Sequence, residues 1–387
     1  MGEKNLMNKR IFRPTGWNYL ALALVIFGLI LAAVRYVKGL GAVTNLSDTY
    51  PWGFWIAFDV MGGVALAAGG FVMAGIVHIF NIERYKPIVR PAILTAFLGY
   101  FLVIVGLLLD LGRPWFIYHP IVMPQWHSVM LEVALCVFFY FIVLFLEFLP
   151  MYFQGVKNYA AYKVLHAVSI PLVIIGIMLS TLHQSSLGGL LLLAREQLNP
   201  LWYSSALPFN FFLSAVAVGF AMVILESHLS SKAYGRAIEN DILGSLSKGC
   251  GTVLGVYFVW RLIDISRSGG WAGLSAGYEV FWFWVELVLG FLVPSIILLG
   301  PGRINATLRQ RGAILAVFGV VLNRLNSTLT GMISGVGAAY FPSWQEIFIS
   351  LAVVSAGILI FQAIVQMLPV FEKEVKESEA AMAAAGA

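Results

Sequence analysis

The sequence predicts an all-α polytopic membrane protein, a bundle of about ten transmembrane helices. Three observations predict it. Of the 387 residues, 60% are hydrophobic and only 11% charged, half or less of the charged share of an ordinary soluble domain. Ten apolar runs each approach the roughly 20 residues needed to cross a hydrocarbon core. The basic residues sort to one side of those runs.

The runs cover residues 17–37, 52–77, 89–110, 127–149, 162–182, 208–228, 246–265, 278–299, 312–332 and 346–370. Short loops join them, so residues 1–387 read as a single integral membrane domain. The first run follows Lys9, Arg10 and Arg13 and ends in AAVRYVKGL, without a small-residue cleavage site. It therefore reads as a retained helix, not a signal peptide. The second carries GGVALAAGG, in which Gly63, Ala67 and Gly70 suit close helix packing. The third ends in DLGRPW, placing Arg113 and Trp115 just beyond the helix. Between the fifth and sixth, residues 183–205 read as a long connection with an apolar, re-entrant or interfacial middle. The tail 371–387 reads as a frayed helix end.

Orientation follows from the basic residues. With both termini in the cytoplasm, 17 of the 24 Lys and Arg fall inside, among them Lys4, Lys9, Arg10, Arg13 and Arg236. That asymmetry is the positive-inside pattern. It also accounts for the net charge of +5 without a nucleic-acid partner, since the basic residues are dispersed over separate inner segments.

Asp59, Glu132, Arg261, Asp264, Glu286 and Arg324 each interrupt an apolar run. A charge near the bilayer centre costs about 2.5–3.5 kcal/mol on insertion scales, so such residues face inward and pair or line a cavity. By position in their runs all six lie in the outer half, with Asp110, Arg113, His127 and His183 at the outer mouths. The expectation is one enclosed polar chamber beneath the outer surface. Structural ion pairs between helices are the plainer alternative. Glu226 and His228, at the inner end of the sixth run, are candidates for an inner proton route.

Cofactor chemistry is narrowed by absences. Two cysteines, Cys136 and Cys250, cannot supply the roughly four thiolates of an iron–sulphur cluster. Of the six histidines, only His166 and His183 could share a helix, 17 residues apart. That spacing, about 25 Å, puts both at the membrane edges, a poor setting for haem. The expectation is a chain without metal, cluster or haem.

PWGFWIAFDVMGGVALAAGGF (51–71), DLGRPW (110–115), HSVMLEV (127–133), LHQSSLGGLL (182–191) and NRLNSTLTG (323–331) together resemble the polysulfide reductase membrane-subunit (NrfD-like) family. Within it they resemble the HybB-type membrane subunits of nickel–iron uptake hydrogenases. The resemblance runs over nearly the whole chain. It implies an NrfD-like helical bundle in the bacterial cytoplasmic (inner) membrane, acting as the quinone-reactive anchor of a hydrogen:quinone oxidoreductase. It further implies as partners a periplasmic ferredoxin-like iron–sulphur subunit and the small and large nickel–iron subunits, with menaquinone or ubiquinone as substrate. On this reading Arg113, His127, His183 and Trp115 bind quinone. Asp59, Glu132, Glu286 and Asp264 transfer protons, and Arg261 and Arg324 pair charge. An ion-coupled secondary transporter, or the membrane subunit of a related sulphur-compound or nitrite reductase, are the alternatives.

Overall fold

In hydrocarbon every backbone N–H and C=O must find its partner within the segment, so each apolar run closes as a helix. The computed structural model describes residues 15–50, 52–235, 239–274, 277–332 and 340–384. Lys4, Lys9, Arg10, Arg13 and Arg236, used for orientation, lie outside the described residues, as do Pro51 and the last residues of the tail.

Among the described residues ten helices are long and apolar enough to cross a membrane. They are α1 (Gly16–Lys38), α2 (Trp55–Ile79), α3 (Lys86–Asp110), α4 (Val129–Gly155), α5 (Ser169–Leu191), α6 (Leu207–Tyr234), α7 (Asn240–Ser268), α8 (Tyr278–Leu299), α9 (Ala306–Thr330) and α10 (Trp344–Met367). Both described chain ends lie on one face, called here the terminal face. The opposite face carries the loops rich in Trp and Tyr and is called the aromatic face.

The expected bounds hold to a few residues, with one displacement. Residues 159–167 form a separate short helix, and α5 begins only at Ser169. Pro171 in its first turn sits where a missing N–H costs nothing. In consequence HQSSLGGLL is not a re-entrant loop: it is the last part of α5, and His183 lies well inside the bundle. Beyond Leu191, the chain lays Leu198, Leu201 and Trp202 into the core. The tail is also more ordered than a frayed end, with Glu372–Ala384 helical and Val370 and Phe371 buried.

Helices α2 to α9 pack as neighbours in chain order, with α6 also touching α2 and α9. α1 packs almost wholly on α10, which in turn leans on α3. Small residues set the closest crossings. A Cβ on Gly70 would stand 2.5 Å from Ala96 Cβ, and one on Gly290 would stand 2.4 Å from Gly319 Cα. Gly70 thus serves the close α2–α3 packing expected of it, and α8 and α9 meet backbone to backbone.

Candidate functional site

The interrupting charges do not meet in one chamber. They divide into separate groups, each held by donors from neighbouring helices.

Asp59 lies in a π-helical stretch of α2, Trp55–Gly62. Its buried carboxylate accepts from Ser350 Oγ of α10 at 2.5 Å. It faces Gly106 of α3, where a Cβ would come within 2.8 Å of Asp59 Cβ. Asp59 also closes one end of an apolar crevice of about 340 Å³ between α2, α3, α6 and α10, with Glu226 toward the other end.

A second group joins α6, α7, α8 and α9. Glu286, in the π-helical stretch Val285–Leu292, is fully buried and accepts three hydrogen bonds. These come from Trp202 Nε1 at 3.0 Å, Asn323 Nδ2 at 2.7 Å and Asn326 Nδ2 at 2.8 Å. Arg324 donates to Asn323 Oδ1, the Phe211 carbonyl and Ser214 Oγ, and its guanidinium lies 3.7 Å from the centre of the Phe211 ring. Asp264 accepts from Ser204 Oγ at 2.5 Å, Asn210 Nδ2 at 2.9 Å and Arg261 Nη1 at 2.8 Å. Arg261 also donates to the Leu201 carbonyl. Both carboxylates have each oxygen occupied. Arg261 pairs with Asp264 as expected, whereas the partners of Arg324 among the described residues are all neutral: Asn323, Ser214, and the carbonyl and ring of Phe211. The two carboxylates hold helices together.

A third group follows α5. Ser186 Oγ donates to Glu132 at the start of α4. One turn deeper, His183 Nδ1 and Tyr100 OH are 2.8 Å apart, with both side chains fully buried. One turn toward the aromatic face, Leu190 opens onto a cavity of about 240 Å³. Thr49, Tyr50, Trp52, Met130, Gln197 and Met332 complete its lining together with Leu193 and Ala194. The Tyr50 ring stacks on Tyr340 with centroids 4.9 Å apart, and its hydroxyl donates to the Leu329 carbonyl at 2.8 Å. Burial pushes both of these phenols above their ordinary pKa, so they stay neutral donors. No charge marks these cavity residues in the sequence.

The remaining expectations separate. Arg113, Trp115 and His127 are exposed on the aromatic face and line neither cavity. They are surface residues because the chain leaves the bundle at Leu111 and re-enters only at Val129. His183 is the reverse, too deep to form a mouth. Glu226 and His228 do not form a pair. Glu226 takes a hydrogen bond from Ser230 at 2.6 Å and faces the crevice. His228, two residues on and so on the other side of the helix, has Nδ1 at 2.8 Å from the Ile224 carbonyl.

Residues 42–334 match the family described as polysulphide reductase, NrfD. The chain belongs to the NrfD family. It is 40% identical over 375 residues to a protein of Nitratidesulfovibrio vulgaris, covering 94% of this chain and 96% of the relative. It is 32% identical to the probable Ni/Fe-hydrogenase 2 b-type cytochrome subunit of Escherichia coli, over 92% and 94% of the two chains. It shares the same 32% with the integral membrane subunit of menaquinone reductase from Nitratidesulfovibrio vulgaris, over 92% of each. This NrfD-family chain is therefore related over nearly its whole length to membrane subunits of redox complexes.

The name of the Escherichia coli relative raises haem. The histidines of this chain do not fit a haem with two axial imidazoles. His119 is half-buried and His127 exposed on the aromatic face, while His78 and His166 are exposed at the terminal face. His183 and His228 are both buried with Nδ1 engaged, but they stand on different helices, His228 toward the terminal face and His183 toward the aromatic face. No step below passes through haem. Among the described residues no group of His, Cys, Asp and Glu could hold a metal ion.

Proposed function

We propose that this chain is the quinone-reactive membrane subunit of a periplasm-facing nickel–iron hydrogenase complex. Its aromatic face is outward, and its termini are in the cytoplasm of a bacterium. Electrons arrive at the aromatic face from a ferredoxin-like iron–sulphur partner. The observation that carries this reading is the α5 column: an aromatic-lined cavity with Glu132, Ser186, His183 and Tyr100 stacked beneath it. A cavity with apolar walls and few convergent polar groups is the composition that holds ring ligands.

Quinone reduction takes two electrons and two protons. Reduced without protons in a low-dielectric site, the ring would hold uncompensated charge, so acids must stand within reach. Glu132 is placed to protonate the ring by way of Ser186. Asp59 serves the crevice side. Arg113, Trp115 and His127, exposed on the aromatic face, become contacts of the docking surface for the iron–sulphur partner and not of the quinone.

The test separates electron entry from quinone chemistry. In the purified complex, Glu132→Gln lowers hydrogen-to-quinone turnover by about tenfold or more, the lower range for a lost general acid. Dye-linked hydrogen oxidation, which needs no quinone site, stays at the wild-type rate. Unchanged quinone turnover would remove Glu132 from the mechanism.

A further inference from the structure

The seam between α4 and α5 contains more unanswered polarity than packing explains. Along α4, Tyr140, Glu147 and Gln154 recur at intervals of seven residues, which places them on one face of the helix. Facing Tyr140 and Glu147 on α5 are Gly176 and Ser180, and His183, a turn further on, is turned to Tyr100 of α3. Two buried side-chain atoms here, Gln154 Nε2 and His183 Nε2, have no hydrogen-bond partner among the described residues, and Tyr140 OH and Ser180 Oγ have only each other and Tyr100 within reach. Left dry, each costs about 1–3 kcal/mol. Several such costs along one stripe are not a packing accident.

Glu147 lies in the middle of this stripe. It has no ion pair or hydrogen bond among the described residues. It contrasts with Glu286, which has three donors. Gly176 leaves the room: a Cβ there would stand 3.7 Å from Glu147 Oε1 and 3.7 Å from the Tyr140 ring. Gln154 carries the stripe to the terminal face, where Arg90 donates to its Oε1 at 2.6 Å. At the other end, Tyr100 OH and His183 Nδ1 continue toward Ser186 and Glu132.

We infer that the α4–α5 seam is a hydrated proton route from the terminal face to the His183–Tyr100 pair, with Glu147 as its proton-carrying acid. Water bridging these atoms satisfies donors and acceptors that the protein leaves open, as buried water does elsewhere. A carboxylate with neither cation nor donor is costly at this depth, so Glu147 holds a proton and passes it on. It gives that proton to water beside Tyr140 and Ser180 and takes another from water near Gln154. No electron moves in this step. For each quinone reduced by two electrons from the partner subunits, protons entering here become the hydroquinone hydroxyls. The role in turnover rests on the quinone reading above; the protonated acid and the water do not.

The experiment uses the intact complex in native membranes. Dicyclohexylcarbodiimide, a lipid-soluble reagent for protonated carboxyls, labels Glu147 near neutral pH, read by peptide mass spectrometry. It leaves Glu286 and Asp264 unlabelled. In parallel, Glu147→Gln and Tyr140→Phe each lower quinone-linked turnover by about tenfold, within the range of a lost proton-transfer group, and leave dye-linked activity intact. The phenylalanine keeps the ring packing, so it reports on the hydroxyl even where the glutamine variant fails to assemble. Absence of label on Glu147, or unchanged quinone turnover in Tyr140→Phe, overturns the route. A wild-type complex that labels at Glu147 but reduces no quinone sinks the quinone reading and leaves the protonated acid standing.

Discussion

Two glutamates of this chain show how differently an acid can be tolerated in a membrane. Glu286 is fully buried under three donors from Trp202, Asn323 and Asn326. Glu132 is exposed, one turn inside α4, and takes one bond from Ser186. Removing an anchored carboxylate strands its donors, so Glu286→Ala costs about 3–5 kcal/mol. Thermal unfolding in detergent then shows a large loss of stability. Ser186→Ala removes a single hydrogen bond to an exposed group and costs about 1 kcal/mol or less. The ordering of these two melting curves checks whether Glu286 is a fastening and Glu132 a working residue.

At the scale of the element, the π-helical stretches are the least expected feature. Asp59, Glu286 and the run Asn326–Thr330 all fall in such turns. A wide turn of this kind re-aims a side chain within an otherwise regular helix, and it recurs at functional sites. Hydropathy cannot reveal it, because the apolar run is unbroken on both sides. The same blindness displaced α5, whose start was read at 162 although the helix breaks after Ala167. Where a span is bounded by polar turns on both sides, as in Tyr278–Leu299, its limits were read to the residue. Depth was also legible, since Asp59 and Glu286 do sit near one end of their helices. Partnership was not, because six charges at one depth on several helices can face six different neighbours. Helix crossings offer a cleaner test. A Cβ on Gly319 would stand 2.2 Å from Gly290 Cα, whereas one on Gly41 meets nothing within 4 Å. Gly319→Ala forces α8 and α9 apart and lowers the melting temperature clearly, by overpacking worth about 1–3 kcal/mol. Gly41→Ala leaves it unchanged.

The whole molecule is asymmetric between its two faces, and that asymmetry decides how the α4–α5 column can work. Trp52, which lines the cavity, lies on the aromatic face together with the exposed Trp115 and Trp126. Arg84, Lys86, Lys157 and Lys163 lie on the terminal face. In the proposed orientation, which keeps positive charge on the cytoplasmic side of short loops, the cavity faces outward and the Gln154 end of the seam inward. The proposed route and quinone site would in that orientation bring electrons and protons to the ring from opposite sides of the membrane, which predicts an electrogenic turnover. Paired cysteines decide the orientation. Both native thiols, Cys136 and Cys250, are buried, so an impermeant maleimide meets little background. In intact cells stripped of the outer membrane, Arg113→Cys is labelled directly. Lys163→Cys is labelled only after the inner membrane is opened. The reverse pattern would put the cavity in the cytoplasm, and the seam would then carry protons to it from the periplasm.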